Sequence, residues 1–108
     1  MGIDDLYVAP LLTFMAECFW PGVTAEKVTD VGERIRGAAC AIGPRARSGR
    51  YIGSILVPAD EIAFCLFEAP SKATALQLDK QAGIPSERVL QIVHLPANNE
   101  RTDVRGAR

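Results

Sequence analysis

The sequence predicts a single α+β domain in which two helices pack on one face of a four-stranded sheet. Four short apolar runs have the length of strands, two segments carry apolar residues at helical spacing, and Pro and Gly residues separate them. A chain of 108 residues is long enough for one domain and too short for two. Its composition, 48% hydrophobic and 23% charged, is typical of a globular protein.

The first strand and the first helix follow a short leader. Residues 1–10 are expected to form a loose leader, and the apolar run 11–20, stopped by Pro21, predicts a central strand. Thr24 is a suitable N-cap for a helix. The apolar stripe of this helix, with spacings of three, four and seven, consists of Val28, Val31, Ile35, Ala38, Ala39 and Ile42.

The second and third strands form a predicted hairpin. The apolar runs 51–57 and 62–69 are separated by the four turn-forming residues 58–61. In this register Val57 lies opposite Ile62, and each step of two residues places another pair on the same face.

The second helix and the last strand complete the domain. Ser71 is a suitable N-cap for a helix that runs to about Ala82, and Gly83 suits its C-terminal cap. Residues 88–95 are predicted to form the last strand. The polar segment 97–108 is expected to be a flexible tail, so the domain is predicted to span residues 11–96.

The element order β-α-β-β-α-β is that of the ferredoxin-like fold. Right-handed crossovers predict the strand order 4-1-3-2, with both helices on one face, and we expect the first and third strands to run parallel at the centre. The opposite face keeps apolar side chains that no helix covers: Met15, Phe19, Ile55, Phe64 and Leu66. Because an apolar patch of this size usually marks an interface, we expect a homodimer that packs sheet against sheet as a dimeric α+β barrel.

Charge and motifs exclude several classes of protein. A formal net charge of −1 gives no basic surface for nucleic acid or membranes. The apolar run near the N-terminus has no preceding positive charge and is interrupted by Pro10 and Glu17, so we expect no export signal and a cytoplasmic protein. The absence of a glycine-rich phosphate loop predicts no nucleotide cofactor. Three widely spaced cysteines, with no CxxC pair, are expected to be reduced.

Two motifs carry a family resemblance. The stretch FCLFEAP, residues 64–70, and the stretch AGIP, residues 82–85, are the most specific. Over about four-fifths of its length, residues 14–95, the chain resembles a bacterial family of small proteins, some described as nickel-binding. The resemblance implies a dimeric ferredoxin-like fold and binding of a divalent metal such as Ni²⁺. Members often carry Arg and Tyr where this chain has Gly53 and Ile55, so a less polar pocket is expected here.

The hairpin register suggests a candidate site at the strand ends. It places Tyr51 opposite Glu68, with Phe64 and Leu66 on the same face, and a parallel first strand would add Glu17. Carboxylates and a phenol can bind a divalent metal or act as acid and base on a small molecule. Alternatively, Glu68 is simply paired with Arg50.

His94 is the only histidine of the chain. Since the last strand runs antiparallel to the first, we expect His94 at the end of the sheet far from Glu17. It would then meet the glutamates only across a two-fold axis. Imidazole is a common ligand of nickel and zinc, so Glu17, Glu68 and His94 are the candidate metal ligands. By alternation, Cys18 and Cys65 face the helices, which predicts packing in the core.

Three functions remain open at this point. The first is a homodimer that binds a divalent metal at these residues. The second is a cofactor-free enzyme of the monooxygenase or isomerase type, with Glu68 or His94 as base and an apolar small molecule held near Tyr51, Phe64 and Leu66. The third is a module that only dimerises. The fold does not distinguish them, because this fold supports many functions.

Overall fold

The computed structural model describes residues 10–42 and 49–97. Most of the predicted leader and nearly all of the predicted tail lie outside these residues. The elements, in chain order, are β1 (Leu12–Phe19), α1 (Ala25–Ile42), β2 (Arg50–Val57), β3 (Ile62–Ala69), α2 (Lys72–Ala82) and β4 (Arg88–Ile92). This is the predicted order of strands and helices.

The sheet order β2-β3-β1-β4 confirms the predicted order, counted from the other edge. The predicted parallel pairing of the first and third strands is wrong, because β1 pairs antiparallel with β3 and with β4. The reason lies in the connections. A right-handed crossover makes β1 and β2 parallel, and the hairpin then reverses β3, which inserts between them. The start of β1 therefore lies beside the end of β3, with Thr13 paired to Glu68.

The hairpin register is confirmed over most of its length and shifts near its open end. Val57 pairs with Ile62, and Gly53 pairs with Leu66, as predicted. Between Tyr51 and Gly53 the register is irregular, so Arg50 instead of Tyr51 lies opposite Glu68. One extra residue, Ile52, is inserted there, and such a β-bulge reverses the facing of the residues beyond it. The predicted pairing of Tyr51 with Glu68 is therefore wrong.

The core lies between the sheet and the two helices. Phe14 of β1 and Phe67 of β3 are fully buried at its centre, with ring centroids 6.3 Å apart. Small side chains surround them on the same strands, among them Ala16, Ala63 and Cys65, and so the helices can pack closely on the sheet. The predicted stripe of α1 is confirmed, since Val31 and Ile35 are fully buried.

The ends of α2 carry the predicted caps. The Ser71 hydroxyl accepts a hydrogen bond from the Thr74 backbone N–H at 3.1 Å, and Gly83 ends the helix in the left-handed conformation with φ +66°. Within the described residues, no helix combines the length and apolar character needed to cross a membrane.

Asp79 of α2 makes the stability of the domain depend on pH. Burial raises the pKa of this half-buried carboxyl group, although its two oxygens accept hydrogen bonds from the Ser86 hydroxyl at 2.8 and 2.9 Å. The folded chain therefore holds this proton to a higher pH than the unfolded chain, and the free energy of unfolding falls as pH rises above the ordinary value of 3.8.

We expect Asp79→Asn to stabilise the domain at pH 7, because the amide removes the buried charge and still accepts from Ser86. Below the ordinary pKa of 3.8 both chains are uncharged at this position and the gain disappears. Urea denaturation of both proteins at neutral and strongly acid pH measures the effect. A variant that is less stable at pH 7 would contradict this account.

Candidate ligand-binding cleft

Among residues 10–42 and 49–97, no helix packs on the second face of the sheet. We call it the helix-free face. It consists of alternate residues of all four strands: Thr13, Met15, Glu17, Phe19, Arg50, Ile52, Ile55, Val57, Ile62, Phe64, Leu66, Glu68, Arg88, Leu90 and Ile92. Three large apolar side chains on this face are about half exposed, with Phe19 at 51%, Ile52 at 50% and Ile55 at 53%. The predicted apolar face without helices is therefore present.

One end of the helix-free face forms a cleft of about 550 Å³. Its lining consists of Thr13, Met15, Arg50, Ile52, Ile55, Leu66, Glu68, Ile92, Val93, His94 and Leu95. The last three residues follow β4, which ends at Ile92 instead of continuing to residue 95 as predicted, because its pairing with β1 ends at Thr13. Val93 and Leu95 are 77% and 82% exposed.

Polar side chains meet at one end of this cleft. Glu68 lies opposite Thr13 on one side and Arg50 on the other, and the Arg50 Nε donates a hydrogen bond to Glu68 Oε1 at 2.8 Å. His94 follows Ile92, the partner of Thr13 on β4, by two residues and lines the same cleft. The expectation that His94 cannot approach a glutamate within one chain is therefore wrong for Glu68, because β3 runs antiparallel to β1.

Glu17 lies on the helix-free face but outside the cleft. It pairs with Phe64 of β3, and its Oε1 accepts a hydrogen bond from Arg88 Nε at 2.5 Å. It lies four positions along β1 from Thr13, which is a distance of about 13 Å along a strand. The predicted set Glu17, Glu68 and His94 is thus divided between two places. No group of three or more His, Cys, Asp or Glu side chains suited to a metal ion occurs in the part of the chain that the structure describes.

Tyr51 lies on the opposite side of the sheet, against α1. Its hydroxyl is 2.6 Å from Ser54 Oγ, and the Arg36 guanidinium lies 5.7 Å from the ring centroid. Gly32 of α1 allows this packing, because a Cβ there would lie 2.6 Å from the Tyr51 ring. The bulge at Ile52 therefore removes Tyr51 from the candidate site. Of the predicted apolar contacts, Leu66 lines the cleft, while Phe64 lies further along the same face beside Glu17.

The cysteines belong to the core or to the surface of α1, away from the cleft. Cys18 and Cys65 are fully buried on the helix side of the sheet, as predicted, and Cys40 is exposed on α1. A hydrogen bond with Cys65, together with burial, raises the pKa of Cys18. Because both buried thiols are closed off from solvent, neither can act as a nucleophile on a molecule in the cleft.

Sequence reasoning missed two polar residues of the cleft. The sequence predicts Arg50 only as an ion-pair partner of Glu68 and gives no indication of Thr13. Thr13 follows from the strand directions, since an antiparallel β1 places it beside Glu68, and Arg50 follows from the bulge at Ile52. Gly53 was the available signal for the bulge, because a glycine inside a strand pattern often marks one.

The fold and the cleft define a class of protein: an α+β domain with a ferredoxin-like arrangement and an open, ligand-sized depression on its sheet. No model of a known protein family matches the sequence, and no curated protein matches it either. The fold is similar to the crystal structure of SCO4226 from Streptomyces coelicolor A3(2), with a TM-score of 0.61 and 18% sequence identity. The match covers 79% of this chain and 99% of that chain. At this identity the similarity shows the fold alone.

Proposed function

We propose that this protein binds a small, mostly apolar molecule in the cleft on its helix-free face. The observation that carries the proposal is the composition of the lining, which has seven apolar residues and four polar ones, with Thr13, Arg50, Glu68 and His94 at one end. Small-molecule sites commonly combine an apolar wall with a few polar groups that orient the ligand, in a volume of about 300–1,000 Å³.

A homodimer would close the cleft, with two helix-free faces packed together as a dimeric α+β barrel. Half-exposed Ile52, Ile55 and Phe19 give each copy an apolar patch of the kind that marks an interface. The charged residues of the face form two Arg–Glu pairs, Arg50 with Glu68 and Arg88 with Glu17. Because these charges cancel, a second copy of the same face meets no net repulsion.

The bound molecule can also be a substrate. Glu68 and His94 both lie at the polar end, and either side chain can act as a general base on a ligand held there. Isomerisation and cofactor-free oxidation both begin with removal of a proton, so the cleft is suited to these two classes of reaction.

Titration with naphthalenes that carry a single polar substituent tests the proposal. We expect at least one of the hydroxyl, carboxylate and ammonium forms to bind saturably, and Leu66→Ala to weaken its binding about tenfold through lost apolar contact. Leu76→Ala is the matched control, because Leu76 is an exposed leucine of α2, on the other side of the molecule. If no probe binds, or if both variants weaken binding equally, the proposal fails.

A second candidate function is binding of a divalent metal, Ni²⁺ above all. It is favoured by the presence of one imidazole and one carboxylate, His94 and Glu68, in the same cleft. One chain supplies these two ligands, and a second copy related by a two-fold axis would supply two more. The family resemblance in the sequence supports the choice of nickel.

Isothermal titration of Ni²⁺ into protein without a histidine tag tests the metal proposal. We expect His94→Ala and Glu68→Gln to abolish binding and Glu17→Gln to leave it intact. The two glutamates are matched, since each is paired with an arginine on the helix-free face and only Glu68 lines the cleft. Absence of binding to the wild type, or equal loss in both glutamine variants, would rule out this site.

A further inference from the structure

We infer that the molecule bound in the cleft carries an uncharged hydroxyl group, as an alcohol or a phenol does, in preference to a carboxylate or an ammonium group. The inference rests on the proposed binding of a small apolar molecule and specifies its polar end. It follows from the charge and the hydrogen-bonding capacity of the side chains gathered there.

The formal charges at the polar end cancel. Arg50 and Glu68 are the charged residues of the lining, and they are joined by a hydrogen bond of 2.8 Å. The carboxylate is the more enclosed partner, with 23% of the Glu68 side chain exposed against 68% for Arg50. A charged ligand group would lose water on entering the cleft without gaining a free counter-charge, unless it separated this pair.

The same side chains offer both donors and acceptors. The guanidinium of Arg50 has five N–H donors and uses Nε toward Glu68, and the carboxylate of Glu68 has two accepting oxygens. The imidazole of His94 has two ring nitrogens that can take part in hydrogen bonds, and the Thr13 hydroxyl can donate or accept. A ligand hydroxyl, which donates one hydrogen bond and accepts others, is an uncharged group that can use both kinds of partner through a single atom.

The apolar lining of the cleft indicates that the rest of the ligand is apolar. Ile55 of β2, Leu66 of β3 and Ile92 of β4 form an apolar wall beside the polar end, with Met15 of β1 between Leu66 and Ile92. A ring or branched hydrocarbon body that carries one hydroxyl group at its edge would place that group toward Glu68 and Arg50. Such a molecule satisfies the polar end without exposing the apolar wall to water.

Three probes that share one ring system test the inference: 2-naphthol, 2-naphthoate and 2-naphthylmethylammonium, titrated at pH 7.5. We expect 2-naphthol to bind at least tenfold more tightly than either ion. Glu68→Gln leaves the charge of Arg50 uncompensated. It should therefore increase the affinity for 2-naphthoate, relative to that for 2-naphthol, by at least tenfold. Glu17→Gln, the same change in the Arg88 pair outside the cleft, should leave this affinity ratio unchanged.

The outcomes distinguish failure of the inference from failure of the binding function on which it rests. If 2-naphthoate or the ammonium probe binds the wild type as tightly as 2-naphthol, the inference is overturned while the binding function stands. The inference is also overturned if Glu68→Gln does not improve the affinity for 2-naphthoate relative to the affinity for 2-naphthol. If none of the three probes binds, the proposed function fails and the inference fails with it.

Discussion

Replacing Gly49 with alanine is expected to destabilise the fold by about 2–4 kcal/mol, because steric conflict and backbone strain act together. Gly49 is buried at the entry to β2 with φ +120°, a conformation that side chains disfavour. A Cβ there would lie 2.2 Å from the backbone oxygen of Glu68 and 3.2 Å from Leu78 Cδ1. Since the backbone at Glu68 is part of the sheet, it cannot move aside without disturbing the Arg50–Glu68 pair.

Gly37→Ala is the matched control. Gly37 lies on the exposed side of α1, and a Cβ there meets nothing within 4 Å, so helix propensity should stabilise this variant by about 0.5–1 kcal/mol. Urea denaturation of the three proteins measures both effects. If Gly49→Ala were as stable as the wild type, the close approach of β2 to the end of β3 would be wrong, and with it the geometry of the polar end.

Replacing Ile55 with lysine is expected to convert the proposed dimer into a monomer. Ile55 lies on β2 in the helix-free face, is 53% exposed, and pairs with Phe64. In the dimer a lysine there would bury its charge against the apolar face of the second copy, and we expect the dissociation constant to rise at least a hundredfold. Sedimentation analysis across a range of protein concentrations measures the change.

Leu76→Lys controls for the effect of a new surface charge. Leu76 is 47% exposed, close to the value for Ile55, but it lies on α2. We expect this variant to sediment like the wild type. A wild-type protein that remains monomeric at all concentrations, or a dimer lost equally in both variants, would contradict packing through the helix-free face.

The arrangement of elements could be predicted because each element carries a local signal. The stripe containing Val31 and Ile35 has helical spacing, and the cap Ser71 and the terminator Gly83 fix the ends of α2 within a residue. The hairpin register followed from the turn and the alternation of residues, and it holds from Val57 back to Gly53. These features depend on residues close together in the chain.

The candidate site could be predicted only in part, because it depends on strand direction and on one irregularity. Glu68, Leu66 and His94 were identified, but Glu68 was assigned the wrong neighbours. One inserted residue, Ile52, turns Tyr51 toward α1 and brings Arg50 to Glu68. The antiparallel pairing of β1 and β3 carries Glu17 away from Glu68 and brings Thr13 to it. A shift of one residue in a strand exchanges its two faces, so small local errors move whole side chains out of a site.

The most direct test of the central claim is to locate a bound probe by NMR. Amide shifts of the isotopically labelled protein should be recorded during titration with whichever naphthalene derivative binds best. We predict that the largest changes fall on residues that line the cleft, such as Thr13, Leu66 and Ile92, and that α1 and α2 change little. Changes concentrated on the exposed sides of the helices, with the helix-free face unaffected, would contradict the assignment of the cleft as the ligand site.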